Sequence, residues 1–297
     1  MAEKVLQDEQ EKDVVVVGAG FAGMYMLHRL RKMGYGVRVI EAGSGVGGTW
    51  YWNRYPGARV DIESVAYSYS FSKELEQDWV WSEKHATQPE LLGYANHVAD
   101  RFDLRKDIQF ESKVASAHFD DDMNEWLVTL ENGDAVRARY LIMASGVLSA
   151  SKKPDISGYD NFKGETYNTG QWPHDPVDFS GKKVAVIGTG SSGIQTIPLV
   201  AEQAEELVVF QRTANFSTPA LNRTLSNSEI DAVKNNYPEY RTECRKSGLG
   251  AISPEPQLDR AMEATAEERE SRFNTGWETG LLPSFFFAFG DILTDEK

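Results

Sequence analysis

The sequence has a single cysteine, Cys244, which excludes an internal disulfide and fits a reducing compartment, so a cytoplasmic location is expected. Positive charge is also scarce. Thirty-one Lys and Arg stand against 45 Asp and Glu, a formal net charge of −14. That sign argues against nucleic acid or an anionic membrane surface as the main partner. No apolar run approaches the roughly 20 residues that a membrane-spanning helix needs, and no metal site is expected. At 297 residues, 41% hydrophobic and 26% charged, the chain has the composition of a globular protein with room for about two domains. Met1–Lys12 is charged and lacks a signal-peptide core, so it reads as a frayed lead-in.

What is present is organised around Val14-Val15-Val16-Val17-Gly18-Ala19-Gly20-Phe21-Ala22-Gly23. A run of β-branched residues reads as a parallel strand buried on both faces. The glycines follow at once, and an amphipathic run from Met24 to Met33 has helical spacing. This strand–turn–helix places a pyrophosphate on a helix N-terminus: Gly18 for the tight turn, Gly20 for close approach, Gly23 for helix–strand packing. A second strand, Val37–Ile40, ends in Glu41, 18 residues past Gly23, where an acid meets a ribose hydroxyl.

Ala42–Trp50 is too glycine-rich for regular structure and forms a loop on the ligand-binding rim of the sheet. Trp50, Tyr51, Trp52 and Tyr55, followed by Arg59 and Asp61, read as a site wall against which a flat heterocycle or small apolar substrate binds. Thr87-Gln88-Pro89-Glu90 starts a helix whose buried stripe is Leu91, Leu92, Ala95, Val98, Ala99 and Phe102, with His97 as a structural histidine beside it. Strands are expected at Ile108–Phe110, Lys113–Phe119 and Trp126–Leu130. Asn132-Gly133 turns into Ala135–Arg139, and a separate buried strand, Tyr140–Ser145, ends at Gly146. A meander followed by a return strand is how a flavin-binding Rossmann domain differs from a plain nicotinamide one, by fold analogy.

From Ser149 to Gly181 the composition shifts to Ser, Pro, Gly, Asp and Lys, a domain linker. The opening pattern then repeats. Lys183–Ile187 is a strand, Gly188-Thr189-Gly190-Ser191-Ser192-Gly193 a second fingerprint, Ile194–Ala204 a helix, and Leu207–Phe210 a second strand. This one ends in Gln211-Arg212-Thr213. An acid there would repel the 2′-phosphate of NADP, whereas Arg212 can pair with it. Two modules with different second-strand ends point to FAD in the first and NADPH in the second, hence flavin redox chemistry. The remainder is read as helical, with pieces at Ser228–Tyr237 and Leu258–Trp277. Phe285-Phe286-Phe287-Ala288-Phe289 is expected to be buried or against a partner, and the last residues read as a chain cut short.

These residues resemble the Baeyer–Villiger monooxygenases, class B flavoprotein monooxygenases, nearest the branch with phenylacetone, steroid and large-ring ketone monooxygenases. The resemblance rests on Gly18–Gly23, the block Gly47-Gly48-Thr49-Trp50-Tyr51-Trp52-Asn53-Arg54-Tyr55-Pro56-Gly57-Ala58, and Gly188–Gly193. It also rests on the signature F-x-G-x-x-x-H-x-x-x-W-P, present as Phe162-Lys163-Gly164-Glu165-Thr166-Tyr167-Asn168-Thr169-Gly170-Gln171-Trp172-Pro173. The signature histidine is Asn168 here, an amide that cannot become cationic.

The resemblance implies an FAD- and NADPH-dependent enzyme, of which this is an amino-terminal part, converting a ketone to an ester or lactone with O2 through a peroxyflavin. It implies that Gly18, Gly20, Phe21, Gly23, Glu41, Gly48, Thr49, Trp50, Asp61, Tyr67 and Val114 bind the flavin nucleotide or line its cleft. It implies that Gly188, Thr189, Gly190, Ser191, Ser192, Gly193, Gln195, Arg212 and Thr213 bind NADPH. Asp61 and Arg59 are the catalytic candidates, Asp61 as the partner of an arginine with no counterpart among residues 1–297, and the missing carboxyl-terminal half is the expected partner. Alternatives are another flavin monooxygenase acting on sulfur or nitrogen, or a nucleotide-binding piece without activity of its own. The expected fold class is α/β: two Rossmann-like dinucleotide-binding domains, FAD then NADP, with a helical segment at the C-terminal end. The expected boundaries are 1–148 for the FAD-binding domain, 149–181 for the linker with its signature, 182–223 for the first half of the NADP-binding domain, and 224–297 for a truncated helical segment.

Overall fold

The structure is a computed structural model that describes residues 4–5, 12–247, 250–251, 257–280 and 282–294. Its strands are β1 (Lys4–Val5), β2 (Lys12–Val17), β3 (Val37–Ile40), β4 (Ile108–Gln109), β5 (Val114–Asp120), β6 (Glu125–Leu130), β7 (Asp134–Met143), β8 (Lys183–Ile187) and β9 (Glu206–Phe210). Its helices are α1 (Phe21–Lys32), α2 (Thr49–Trp52), α3 (Lys73–Asp78), α4 (Gln88–Arg101), α5 (Ser191–Ala201), α6 (Asn227–Asn235), α7 (Tyr237–Lys246), α8 (Ala266–Thr279) and α9 (Leu282–Phe286). The chain divides into two units. The first gathers the residues up to Ala58 with Gln88–Lys182 and Leu199–Glu205; the second gathers Arg59–Thr87, Lys183–Pro198 and the residues from Glu206 on.

In the first unit the sheet order is β4-β3-β2-β7-β6-β5, with β1 also on β7. The lead-in expected at Met1–Lys12 lies mostly outside the described residues, but its Lys4–Val5 pairs in parallel with Asp134–Ala135. The valine run behaves as its composition requires. Val14 and Val16 face one core with Met24, Leu27, Val39, Ala95 and Ala99, while Val15 faces another with Ile40, Val128, Leu130 and Ala138. Each such valine is 1% exposed or less, and full burial contributes roughly 1.5–3 kcal/mol per side chain. On α4, Leu91, Ala95, Val98 and Ala99 are buried as the spacing predicts, whereas Leu92 and, just past the helix, Phe102 are only partly covered. Tyr94, on the same stripe, joins the buried residues at 1% exposure.

One expectation is corrected. The two strands read at Ala135–Arg139 and Tyr140–Ser145 are a single strand, β7. Its first half pairs antiparallel with β6 (Val128↔Val136) and its second half parallel with β2 (Val14↔Tyr140). No turn residue separates the halves; the partner changes while the strand runs on. The turn before it is as expected: Gly133 has φ +87° and donates its amide to the Leu130 carbonyl at 3.0 Å. Past β7, the linker is irregular, with 3₁₀ turns at Tyr159–Asn161 and Thr169–Gln171. Its Tyr167, Trp172 and Phe179 rings pack together with centroids 5.4–6.2 Å apart.

In the second unit β8 and β9 pair in parallel, Lys183↔Glu206 through Ile187↔Phe210. The helices begin where side chains can cap them. Ser226–Glu229 and Thr265–Glu268 form capping boxes for α6 and α8, so the helix expected from Leu258 starts only at Ala266. The helix expected to reach Tyr237 ends at Asn235, and α7 restarts at Tyr237 with Pro238 in its first turn. The phenylalanine run is mixed: Phe289 is 1% exposed and Phe286 37%.

Candidate functional site

In the first unit the fingerprint is fixed by its own backbone at two points. Gly18 has φ +101°, and a Cβ there would lie 2.6 Å from the Ala144 carbonyl oxygen. A Cβ on Gly23 would lie 1.8 Å from the Gly18 carbonyl oxygen, so α1 closes on the turn only with glycine. Gly20 meets the second glycine loop: a Cβ on Gly48 would fall 2.8 Å from the Gly20 Cα, and the Gly47 amide donates to the Ala19 carbonyl at 3.1 Å. Helix α1 starts at Gly20 without a capping side chain and without an acid in its first turn. Its leading N–H groups and positive dipole end are therefore available to an anion.

Glu41 is 4% exposed, and its carboxylate accepts the Ala19 amide at 2.6 Å and the Gly43 amide at 2.7 Å. It ties the two glycine loops together. Tyr51 explains other glycines. Its ring passes where a Cβ on Gly43 or Gly45 would stand, 2.6 and 3.0 Å away, and its hydroxyl accepts the Ser44 amide at 3.1 Å. Trp50 and Tyr51 are buried at 8% and 9% while Trp52 is 40% exposed, so the aromatic wall is partly core. Gln88 on α4 donates through Nε2 to the Trp50 carbonyl, and His174 of the linker stacks on Tyr51 with centroids 5.3 Å apart. Phe21 packs edge-on to Tyr94 at 6.0 Å, Thr49 opens α2, and Val114 packs on the core around Val15. Asn168 caps the second 3₁₀ turn: its Oδ1 accepts the Gly170 amide at 2.9 Å and its Nδ2 donates to the Lys152 carbonyl at 3.2 Å.

In the second unit Gly188 has φ +104° and donates to the Phe210 carbonyl at 2.9 Å. A Cβ on Gly193 would lie 2.4 Å from the Gly188 carbonyl oxygen, whereas one on Gly190 would meet nothing within 4 Å. The chain's own packing does not require a glycine at 190. An approaching pyrophosphate would. Thr189 accepts from Gln211 Nε2 at 2.7 Å, Ser191 and Ser192 open α5 with no acid in its first turn, and Arg212 and Thr213 lie exposed just past β9.

The same unit holds Arg59, Asp61 and Tyr67. The Arg59 guanidinium donates to Glu83 at 3.1 Å, and Asn222 donates to the same carboxylate oxygen at 2.7 Å. Gln195 on α5 reaches the Arg59 carbonyl at 3.1 Å and Asp61 Oδ1 at 2.9 Å. The Asp61 side chain reaches solvent, yet the packed segment around it raises its carboxyl above the ordinary range, with His85 pulling the other way. His85 is 4% exposed, its Nδ1 lies 3.0 Å from the Ile62 carbonyl, and burial lowers its imidazole below 6.5. Arg241 from α7 holds the turn that carries Tyr67. It donates to Glu76 at 2.9 Å, to the Val65 carbonyl at 3.1 Å and to Ser68 Oγ at 2.7 Å.

Glu83, His85, Asn222 and Arg241 carry no signal in the sequence. They sit in no motif, and their partners are far away along the chain, up to 176 residues for Arg241 and Val65. Among the described residues, no cluster of His, Cys, Asp and Glu is arranged to hold a metal ion, and no helix is long and apolar enough to cross a membrane.

Comparison with known proteins gives the family of the chain. Residues 15–245 match the family described as pyridine nucleotide-disulphide oxidoreductase. A phenazine N-monooxygenase of Lysobacter antibioticus is 44% identical over 97% of this chain and 53% of its own length. A Baeyer–Villiger monooxygenase of Pseudooceanicola batsensis is 43% identical over 96% and 52%. The solved structure of an oxidized steroid monooxygenase bound to NADP superposes with a TM-score of 0.90 at 55% identity, covering 96% of this chain and 54% of that one. The chain thus spans about half the length of the relatives it matches. It belongs to the pyridine nucleotide-disulphide oxidoreductase family, and along about half their length it is similar to Baeyer–Villiger and related monooxygenases.

Proposed function

We propose that this chain supplies the dinucleotide-binding framework of an FAD- and NADPH-dependent Baeyer–Villiger monooxygenase that converts a ketone to an ester or lactone with O2. One observation carries the reading: two glycine fingerprints whose second strands end in opposite chemistry, a buried Glu41 after the first and an exposed Arg212 after the second. The residues suit both groups. Gly18, Gly20, Gly23, Glu41, Gly48, Thr49 and Trp50, with Phe21 and Val114, would hold FAD. Gly188–Gly193, Arg212 and Thr213 would hold NADPH. When bound, the flavin supplies the two-electron and oxygen chemistry that side chains lack.

The chain's own groups do the binding. The open N-termini of α1 and α5 offer N–H donors to pyrophosphates, and the bare Cα of Gly190 lets one come close. Glu41 keeps lone pairs for a ribose hydroxyl beyond the two amides it accepts. Arg212 forks onto a 2′-phosphate. Arg59, Asp61 and Tyr67 line the ketone cleft, with Asp61 as the anionic partner of a further arginine. The single cysteine and the acidic surface fit a cytoplasmic enzyme.

A second reading, oxidation of nitrogen rather than a ketone, is supported by the phenazine N-monooxygenase relative. The test is the visible spectrum of the purified chain with FAD, before and after anaerobic NADPH. A flavin spectrum that bleaches is expected, and a protein that takes up neither nucleotide overturns the proposal. Turnover of a ketone against a phenazine decides between the two readings.

A further inference from the structure

Gln195 belongs by sequence to the second fingerprint, two residues past Gly193, and was expected to touch the cofactor. Its amide also grips the chain. Nε2 donates to the Arg59 carbonyl at 3.1 Å and to Asp61 Oδ1 at 2.9 Å, and Oε1 accepts the Arg59 amide at 3.4 Å. Chemistry fixes the orientation of the amide group. Turned over, its oxygen would face the Arg59 carbonyl and the Asp61 carboxylate, acceptor against acceptors, and its NH2 would face an N–H. The grip spans 134 residues between Asp61 and Gln195, so it joins the Arg59–Asp61 segment to α5.

The other charges nearby are engaged elsewhere. Arg59 pairs with Glu83 at 3.1 Å, Lys84 with Glu63 at 3.9 Å, and the imidazole of His85 is buried with Nδ1 on Ile62. Among the described residues no cation forms an ion pair with Asp61. The Gln195 amide is the side-chain donor that meets its carboxylate, and such a hydrogen bond favours the ionised form.

We infer that Gln195 is a positioning residue: it holds the Asp61 carboxylate fixed to the helix of the second fingerprint, so that filling this fingerprint is felt at Asp61. The coupling rests on the reading of that fingerprint as an NADPH site; the Gln195–Asp61 clasp does not. Glutamine is required because a glutamate at 195 has no N–H and would set a second anion against Asp61, while a shorter side chain would not reach.

The test is carboxyl-carbon NMR of Asp61 in the chain, its signal assigned by Asp61→Asn. The wild type is compared with Gln195→Met, which keeps the shape without the amide, and Gln195→Glu, which keeps the shape without the donor. The expected result is an Asp61 titration midpoint higher by about one pH unit in Q195M, and higher still in Q195E. An unchanged midpoint in Q195M, with the amide spectrum showing a native fold, overturns the clasp. NADP+ is then added, with the Gly190 amide reporting binding. At NADP+ concentrations that saturate the Gly190 shift in each protein, the Asp61 signal should move in the wild type and stay still in Q195M. An Asp61 response that survives in Q195M overturns the coupling. Failure of NADP+ to move Gly190 in the wild type overturns the NADPH reading and the coupling with it, and the titration without NADP+ still decides the clasp.

Discussion

The Glu41 carboxylate accepts the Ala19 amide at 2.6 Å across 22 residues of sequence. With its second bond to Gly43, the acid at the end of β3 holds the glycine turn in shape, the turn proposed above to receive the pyrophosphate. Glu41→Gln puts an NH2 against one of these amides and leaves a buried donor unmet. It should destabilise the chain by about 1–3 kcal/mol and weaken FAD retention. Urea unfolding and FAD titration check this; unchanged stability would mean the turn holds without the acid.

The glycines of the second fingerprint should separate by role. A Cβ at Gly190 meets nothing, so Gly190→Ala should keep the melting temperature and lose NADPH affinity. A Cβ at Gly193 would sit 2.4 Å from the Gly188 carbonyl oxygen, so Gly193→Ala should lower both. Thermal melts paired with NADPH titrations make the comparison.

Arg212 is exposed beyond β9, free of the packing that would make its replacement a folding problem. Arg212→Ala should weaken NADPH roughly tenfold to a hundredfold and leave NADH nearly unchanged, since only NADPH carries the 2′-phosphate. Equal losses in dissociation constant would show that Arg212 does not read that group.

Arg241 and Glu76 form an ion pair whose side chains are 9% and 8% exposed. Removing one partner strands the other charge, so Arg241→Met should lower the unfolding free energy by about 3–5 kcal/mol. Pairing it with Glu76→Leu should recover much of the loss. Denaturant midpoints for the two single variants and the double variant measure the cycle.

Burial holds His85 neutral below its ordinary 6.5, so the unfolded chain takes up a proton that the native chain refuses. The stability this gives is complete above pH 6.5 and is lost as pH falls toward the lower native midpoint, by up to about 1.4 kcal/mol per pH unit. His28 is lowered too, by burial and then Lys32, Arg31 and Arg29, and acts in the same direction. His85→Gln should flatten the fall without abolishing it, as urea unfolding across a pH series would register.

By itself the sequence determined what is local and periodic. The valine run, the glycine fingerprints, the α4 stripe and the Asn132-Gly133 turn all follow from side-chain branching, backbone freedom and spacing, which act over a few residues. It also determined that the strand–glycine–helix pattern occurs twice, at β2–α1 and at β8–α5. Only the tertiary structure decided that β7 is one strand serving two partners, because hydrogen bonding to β6 and then β2 leaves no mark on composition. Likewise it decided that Tyr51 accounts for Gly43 and Gly45, and that Arg241 holds the Tyr67 turn. In these cases the cause is a contact between distant segments, and a side chain carries no sign of its partner until the chain has folded.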